Sequence, residues 1–123
     1  MGTTIKALCA NARRIEKAHG FGDDVRFAED MALVHSEVSE ALEAFRKDGE
    51  TNLTWYTVKD DGGQYREPPS PAHKPEGVPA ELADVCIRIF AICERHGIDL
   101  EKAILEKMSY NETRPMRHGG KKL

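Results

Sequence analysis

The amino-acid sequence predicts an all-α protein: a four-helix-type bundle with a long loop or small hairpin inserted between the second and third helices. Apolar residues recur at three- and four-residue steps over four stretches of the chain. The segment 49–78 separates the second stretch from the third, and its prolines and glycines are incompatible with a continuous helix. Charged residues make up 32% of the 123 residues, which suits the solvated faces of helices in a single domain.

The first two helices are bounded by glycines. We expect the first to run from about Thr4 to His19 and the second from near Asp24 to Lys47, with Gly49 as its stop. The second helix has an apolar stripe along one face, which predicts that this face is buried. The residues of the stripe are Phe27, Met31, Val34, Val38, Ala41, Leu42 and Phe45.

The inserted segment 49–78 has its own local signals. Residues 53–58, LTWYTV, favour a β-strand, and 60–63, DDGG, is typical of a turn before 64–66. These residues predict a small hairpin. The remainder of the segment is expected to be a long loop, and loops of this length in compact domains are usually functional or mobile.

The third and fourth helices follow the insertion directly. The third is predicted from Pro79 to Arg95, and the fourth begins after the capping residue Asp99 and ends before Pro115. We expect residues 116–123 to form a flexible basic tail. The third helix is apolar on most sides, so it should be central in the bundle or lie at a subunit interface. Its apolar residues include Val85, Ile87, Ile89, Phe90 and Ile92.

Composition indicates which binding partners and which cellular compartment to expect. The net charge of −3 gives no global reason to expect a nucleic acid or a membrane surface as partner. The sequence opens without the apolar run of a signal peptide, and no stretch approaches the length of a membrane span. We therefore expect a cytoplasmic protein. Cys9, Cys86 and Cys93 lie on apolar helical faces without CxxC spacing, so they are expected to be reduced core cysteines.

Two acidic pairs are the strongest chemical signal. Glu37 and Glu40 lie one turn apart on the second helix, as do Glu81 and Asp84 on the third. If the two faces meet, four carboxylates converge, and such a group is costly unless a divalent cation holds it together. Mg²⁺ suits oxygen ligands and phosphate chemistry. The alternative is a solvated acidic face, with Arg88 forming a helical pair with Asp84 at i,i+4.

The fourth helix supplies a complementary stripe. Lys107, Asn111 and Arg114 fall at i, i+4 and i+7, so they share one face. Lysine, amide and guanidinium groups suit the oxygens of a polyphosphate. The alternative is a solvated basic helix end that interacts favourably with the helix dipole.

Residues 33–47, LVHSEVSEALEAFRK, and residues 76–114 resemble the all-α nucleoside triphosphate pyrophosphohydrolases of the MazG type. The signature of that family is ExxE on one helix, ExxD on the next, and a downstream lysine with asparagine or arginine. The segment between the two acidic motifs is longer here than is usual in the family. The matching residues are Glu37, Glu40, Glu81, Asp84, Lys107, Asn111 and Arg114.

The resemblance implies hydrolysis of a nucleoside or deoxynucleoside triphosphate to the monophosphate and pyrophosphate. The four acids would hold Mg²⁺, with Mn²⁺ able to substitute, and Glu37 or Glu40 would accept the proton of the attacking water. Lys107, Asn111 and Arg114 would bind the phosphates. Phe21 and Phe27 match the positions that bind the base in related enzymes, although a simple core role explains both residues better. A homodimer or homotetramer is expected.

Two other functions are compatible with the same residues. A phosphoribosyl-ATP pyrophosphatase would share the metal-binding acids and differ in the substrate. A non-catalytic helical interaction module would present the acids to solvent, and its thermal stability would not depend on Mg²⁺. A di-iron carboxylate bundle is disfavoured because the chain has no Glu-x-x-His pair.

Overall fold

The computed structural model describes residues 2–58, 62–68 and 70–115, and within them the chain is mostly helical with one small sheet. The four predicted helices are all present, and the predicted tail 116–123 lies outside the described residues. None of the described helices is long and apolar enough to cross a membrane. The elements are α1 (Ile5–Ala18), α2 (Phe27–Asp48), β1 (Trp55–Thr57), β2 (Gln64–Tyr65), β3 (Lys74–Glu76), α3 (Val78–Arg95) and α4 (Leu100–Thr113).

Local capping sets most helix ends where the sequence places them. The Thr4 hydroxyl accepts a hydrogen bond from the Ala7 amide at the start of α1, and the Asp99 carboxylate accepts one from the Lys102 amide at the start of α4. Gly49 ends α2 in the left-handed conformation, with φ of 70°. These contacts satisfy backbone groups that a helix end leaves without partners.

The start of α2 is later than predicted, at Phe27 rather than near Asp24. Arg13 of α1 explains the difference. Its guanidinium forms an ion pair with Asp23 and donates a hydrogen bond to the Phe21 carbonyl at 3.3 Å. These contacts hold the connection between α1 and α2 in a non-helical conformation. The periodicity of apolar residues gives no sign of them.

The insertion contains the antiparallel strand pair of the predicted hairpin and one strand that was not predicted, whereas the predicted turn at 60–63 lies partly outside the described residues. Strand β1 pairs antiparallel with β2, and β3 pairs antiparallel with the other side of β1, giving the order β2-β1-β3. The expectation of a loop after residue 66 was therefore wrong for 74–76. Pro75 lowers the strand propensity of this segment, but β3 lies at the sheet edge, where a residue without an N–H is tolerated.

Helix α3 is central and packs against both α1 and α2. Its residues Ala91, Ile92 and Cys93 are buried, and Ile92 is only 2% exposed. Helix α4 has no buried residue, and its main contact is with α1, where the Lys6 amide donates to the Glu101 carboxylate at 3.2 Å. The compact part of one chain is therefore a three-helix unit with α4 at its edge.

Much of the predicted apolar surface remains exposed in the single chain. On α2, Ala41 is buried, but Val38, Leu42 and Phe45 are not. Cys86 is exposed, so the expectation that all three cysteines lie in the core was wrong for this one. Several large apolar side chains are between 42% and 64% exposed: Leu33, Val38, Leu42, Phe45, Leu82, Ile87, Leu105 and Met108.

Two arginine–carboxylate contacts set the register of α2 against α3. Arg95 of α3 donates to Asp30 of α2 at 2.5 Å, and Arg88 donates to Glu37 at 2.9 Å. Seven residues separate the two partners on each helix, and the pairing order is reversed, so the helices are antiparallel. Arg95 also reaches Glu16 of α1 at 3.1 Å, which joins three helices at one buried guanidinium.

Gly77 allows the inserted sheet to approach the start of α3. Its φ is 103°, and a Cβ built on it would lie 2.1 Å from the carbonyl oxygen of Leu53. Backbone occupies that space, so a side chain could enter only if the sheet moved away from α3. Glycine is therefore required at this position both by conformation and by contact.

We predict that Gly77→Ala lowers the free energy of unfolding much more than Gly49→Ala, as measured by urea denaturation. Gly49 also has a positive φ, but a Cβ there meets nothing within 4 Å. Gly49→Ala should therefore lower the free energy of unfolding by only about 1–2 kcal/mol, the cost of placing alanine in the left-handed conformation. Equal losses for the two variants would contradict the proposed backbone contact between Gly77 and Leu53.

Candidate metal centre

Three carboxylates from two helices meet at the α2–α3 contact. Glu37 and Glu40 of α2 and Glu81 of α3 each offer an oxygen, and these oxygens all lie within 4.8 Å of one another. The three-residue spacing places Glu37 and Glu40 on one side of α2. The antiparallel register brings the first turn of α3, with Glu81, against that side.

Asp84 lies at the margin of this group rather than inside it. It is not among the residues whose oxygens lie within 4.8 Å of one another. It follows Glu81 by one turn of α3, and it is near enough to Glu37 for the charge of Glu37 to raise its pKa. The structure thus brings together three of the four predicted ligands and leaves Asp84 beside them.

The carboxylates destabilise one another's charged forms. Burial, followed by the charges of Asp84, Glu40 and Glu37, raises the pKa of Glu81, and Lys74 partly opposes this. Partial desolvation and the charge of Glu37 likewise raise the pKa of Asp84, and Lys74 and Arg88 partly oppose this. Removal from water and mutual repulsion therefore both disfavour the charged carboxylates, and the nearby cations offset only part of this.

Arg88 pairs with Glu37 across the helix contact, not with Asp84 on its own helix. Its Nε and Nη2 donate to Glu37 Oε1 at 3.1 and 2.9 Å. The Glu37 side chain is only 15% exposed, which makes it a better-shielded partner than the exposed Asp84. The helical pair that offered an ordinary explanation of Asp84 is therefore not formed.

The remaining acids are free of competing partners. Within the described ranges, Glu40, Glu81 and Asp84 form no side-chain hydrogen bond or ion pair, and Glu37 Oε2 accepts no hydrogen bond. Oxygens in this state are available to bind a cation. An acidic group that served only to join two helices would be expected to be neutralised by lysine or arginine.

The donor set fits Mg²⁺. All of the ligand atoms are carboxylate oxygens, which this hard cation prefers. Opposite ligands of Mg²⁺ lie about 4.2 Å apart, since each bond is about 2.1 Å. Three ligands of one octahedral ion include at least two adjacent pairs, which lie about 3.0 Å apart. The carboxylate oxygens, which lie within 4.8 Å of one another, would therefore have to come closer together by side-chain rotation to bind one ion. The coordination that remains would be completed by water or phosphate oxygens.

The predicted phosphate stripe is not beside the acids in one chain. Lys107, Asn111 and Arg114 lie on or at the end of α4, whose main contact is with α1. None of the three forms a hydrogen bond or ion pair with the acidic group in the part of the chain that the structure describes. The Lys107 ammonium instead lies 5.1 Å from the ring centroid of Tyr110.

The predicted base-binding aromatics lie elsewhere. Phe21 is 61% exposed and Phe27 is 48% exposed, so neither is a core residue within one chain. Phe27 packs edge-on against His96, with 5.3 Å between ring centroids. It precedes Glu37 by ten residues of α2, a separation of about 15 Å along the helix axis. Their role in base recognition stays a prediction.

Two cations near the acids were not predicted in these roles. Arg88 was considered only as a partner of Asp84, because sequence spacing reveals pairs within a helix and not across a contact. Lys74 lies in the unpredicted strand β3, and its charge partly offsets the rise in the pKa of Glu81 and Asp84. Its nearness to Glu81 along the chain was the only available signal.

Comparison with known proteins identifies no relative. No protein-family model matches the chain, and neither a curated protein nor a solved structure has significant similarity to it.

We predict that Glu81→Gln stabilises the metal-free protein at pH 7. The pKa of Glu81 is raised above its ordinary value of 4.5, so folding favours the protonated side chain. The resulting contribution to the free energy of unfolding is present below pH 4.5 and is lost as pH rises through the pKa of the folded state. The variant should unfold at a higher temperature than wild type at pH 7 in EDTA, and the difference should shrink toward pH 4.

Glu106→Gln, at an exposed position of α4, is the matched control and should change the unfolding temperature little. A Glu81→Gln protein that is less stable than wild type across this pH range would contradict the repulsion inferred among the carboxylates.

Proposed function

We propose that the protein is a Mg²⁺-dependent nucleoside triphosphate pyrophosphohydrolase of the MazG type, which converts an NTP or dNTP to the monophosphate and pyrophosphate. The observation that carries this proposal is the meeting of Glu37, Glu40 and Glu81 within 4.8 Å. Arg88 pairs with Glu37 alone, so the group still carries excess negative charge, which is unfavourable without a further cation. Mg²⁺ held by carboxylates is typical of sites that bind phosphates.

The residues around the acidic group have separate roles in the proposed reaction. Mg²⁺, when bound, neutralises charge on the phosphates and lowers the pKa of water. Arg88 holds one oxygen of Glu37, which fixes the direction of the other. Glu40 is exposed and has no described protein partner, so its carboxylate is free to orient the attacking water and accept its proton. This makes Glu40 the preferred general base of the two candidates on α2.

We predict that Glu40→Gln abolishes turnover while leaving the fold intact. Loss of a general base alone lowers rates by about 10²–10⁴-fold, and the lost charge also weakens Mg²⁺ binding. The assay is a panel of canonical and modified NTPs and dNTPs with phosphoribosyl-ATP, in which monophosphate and pyrophosphate are quantified with and without Mg²⁺. Glu43→Gln, an exposed position one turn further along α2, is the control.

Each outcome of the panel decides between functions. Wild-type turnover by Glu40→Gln would contradict the role of the acids. Preference for phosphoribosyl-ATP would identify the related pyrophosphatase. No turnover by the wild-type protein, together with no effect of Mg²⁺ on its unfolding temperature, would favour a non-catalytic interaction module.

The homo-oligomer remains part of the proposal and is supported by the exposed apolar side chains. These lie on α2, α3 and α4, including Leu42, Leu82 and Leu105. Covering them with a second copy would be favourable by about 25 cal/mol for each Å² of apolar surface. The described residues of one chain leave these side chains exposed, because α4 packs mainly at the edge of α1.

A second copy would also resolve the separation between the acids and the phosphate stripe. If α4 of one chain packs on the exposed apolar side chains of α2 and α3 of its partner, Lys107 and Arg114 lie beside the partner's carboxylates. Each site of a symmetric dimer would then combine acids from one chain with cations from the other. One interface would thus both bury the exposed apolar side chains and complete the site.

Mixed dimers test this arrangement. Glu40→Gln and Lys107→Ala homodimers should both be nearly inactive, but the tag-purified heterodimer should have about half of wild-type activity, because one of its two sites is intact. Light scattering at micromolar concentration should give at least twice 13.8 kDa. An inactive heterodimer would indicate that Lys107 does not act on the partner's acids, and a monomer would exclude the interface.

A further inference from the structure

Lys74 is the cation near the acidic group whose hydrogen-bonding capacity is least used. Arg88, the other nearby cation, gives two hydrogen bonds to Glu37. The Lys74 ammonium has three N–H donors, and its ion pair is with Glu76 at the loose distance of 3.6 Å. Its side chain is 73% exposed, so these donors face solvent.

The inserted sheet holds Lys74 in this position. Lys74 is opposite Thr57 in the β1–β3 pairing, and the Thr57 hydroxyl donates to Glu76 at 3.1 Å. The close contact of Gly77 with Leu53 then connects the sheet to the first turn of α3, which contains Glu81. Lys74 is thereby held beside the end of α3 that carries the acids.

Neutralisation of the acids does not account for this placement. Strand β3 packs against α3 and leads into it through Gly77, so Lys74 lies close to the turn of α3 that carries Glu81. In keeping with this placement, the charge of Lys74 partly offsets the rise in the pKa of Glu81 and Asp84. The ammonium nevertheless forms an ion pair with neither carboxylate. A cation that is close to an acidic metal-binding group but not bound to it is positioned to meet an anion that the metal also binds.

We propose that Lys74 is a substrate-binding residue, which donates hydrogen bonds to a phosphate of the nucleoside triphosphate while Glu37, Glu40 and Glu81 hold the metal. Strand β3 would then lie at the substrate site and supply a phosphate contact from the same chain as the acids. This inference rests on the proposed function for its substrate, and its test separates the two.

The direct test is calorimetric binding of inorganic tripolyphosphate in the presence of Mg²⁺, alongside turnover of the best nucleotide. Lys74→Ala should raise the Kd for tripolyphosphate about tenfold or more, because a charge-assisted hydrogen bond is lost. Lys74→Arg should restore most of the affinity. Mg²⁺ binding in the absence of phosphate should not weaken in Lys74→Ala.

Two controls separate substrate binding from a structural role. Glu76→Gln removes the ion pair of Lys74 within the sheet, and Lys17→Ala removes an exposed lysine on α1. Both should retain wild-type affinity for tripolyphosphate, and all variants should unfold near the wild-type temperature. If Glu76→Gln weakens binding as much as Lys74→Ala, the lysine acts by supporting the sheet, and the proposal is overturned.

The remaining outcomes are also distinct. Wild-type affinity and KM in Lys74→Ala would overturn the role of Lys74 while leaving the proposed hydrolysis intact. Lys74-dependent binding of tripolyphosphate without turnover of any nucleotide would support Lys74 as a phosphate ligand and reject the hydrolase. A wild-type protein that binds neither tripolyphosphate nor nucleotides would overturn both.

Discussion

The antiparallel register between α2 and α3 is the constraint on which the rest of the structure depends. Asp30 with Arg95 and Glu37 with Arg88 set it at two points seven residues apart on each helix. Because Arg95 and Asp30 are both buried, displacing α2 by one turn would separate them and leave the guanidinium with Glu16, and removing a partner from a buried charge is destabilising. Burial lowers the pKa of Arg95, but the hydrogen bonds to its carboxylate partners outweigh burial and raise it overall.

The candidate site follows from that register. With Glu37 held opposite Arg88, the next turn of α2 brings Glu40 toward Glu81 at the start of α3. One end of the α2–α3 contact is therefore a neutralised ion network and the other an acidic group with too few cations. The first stabilises the helix contact, and the second opposes it in the absence of a cation. Groups of charges that lower the stability of the free protein are expected at sites where the protein binds a ligand.

The insertion and α4 extend the site in two directions. Gly77 lets the sheet approach the start of α3, which places Lys74 on one side of the acids. Helix α4 carries further cations but has no buried residue of its own, and the apolar residues near it stay exposed. The proposed dimer would bury this surface and bring Lys107 to the acids of the partner. The phosphate contacts would then come from both chains, around carboxylates contributed by one.

The sequence by itself determined the features that depend on neighbours within about one helical turn. These include the four helices, their caps at Thr4 and Asp99, the hairpin, and the placement of each acidic pair on one helix face. Only the tertiary structure decided that Asp84 lies beside the acidic group, that Arg88 pairs with Glu37, and that 74–76 forms a strand. Each of these depends on packing between segments distant in the chain, and the spacing of residues that identifies pairs within one helix does not reveal pairs across a helix contact.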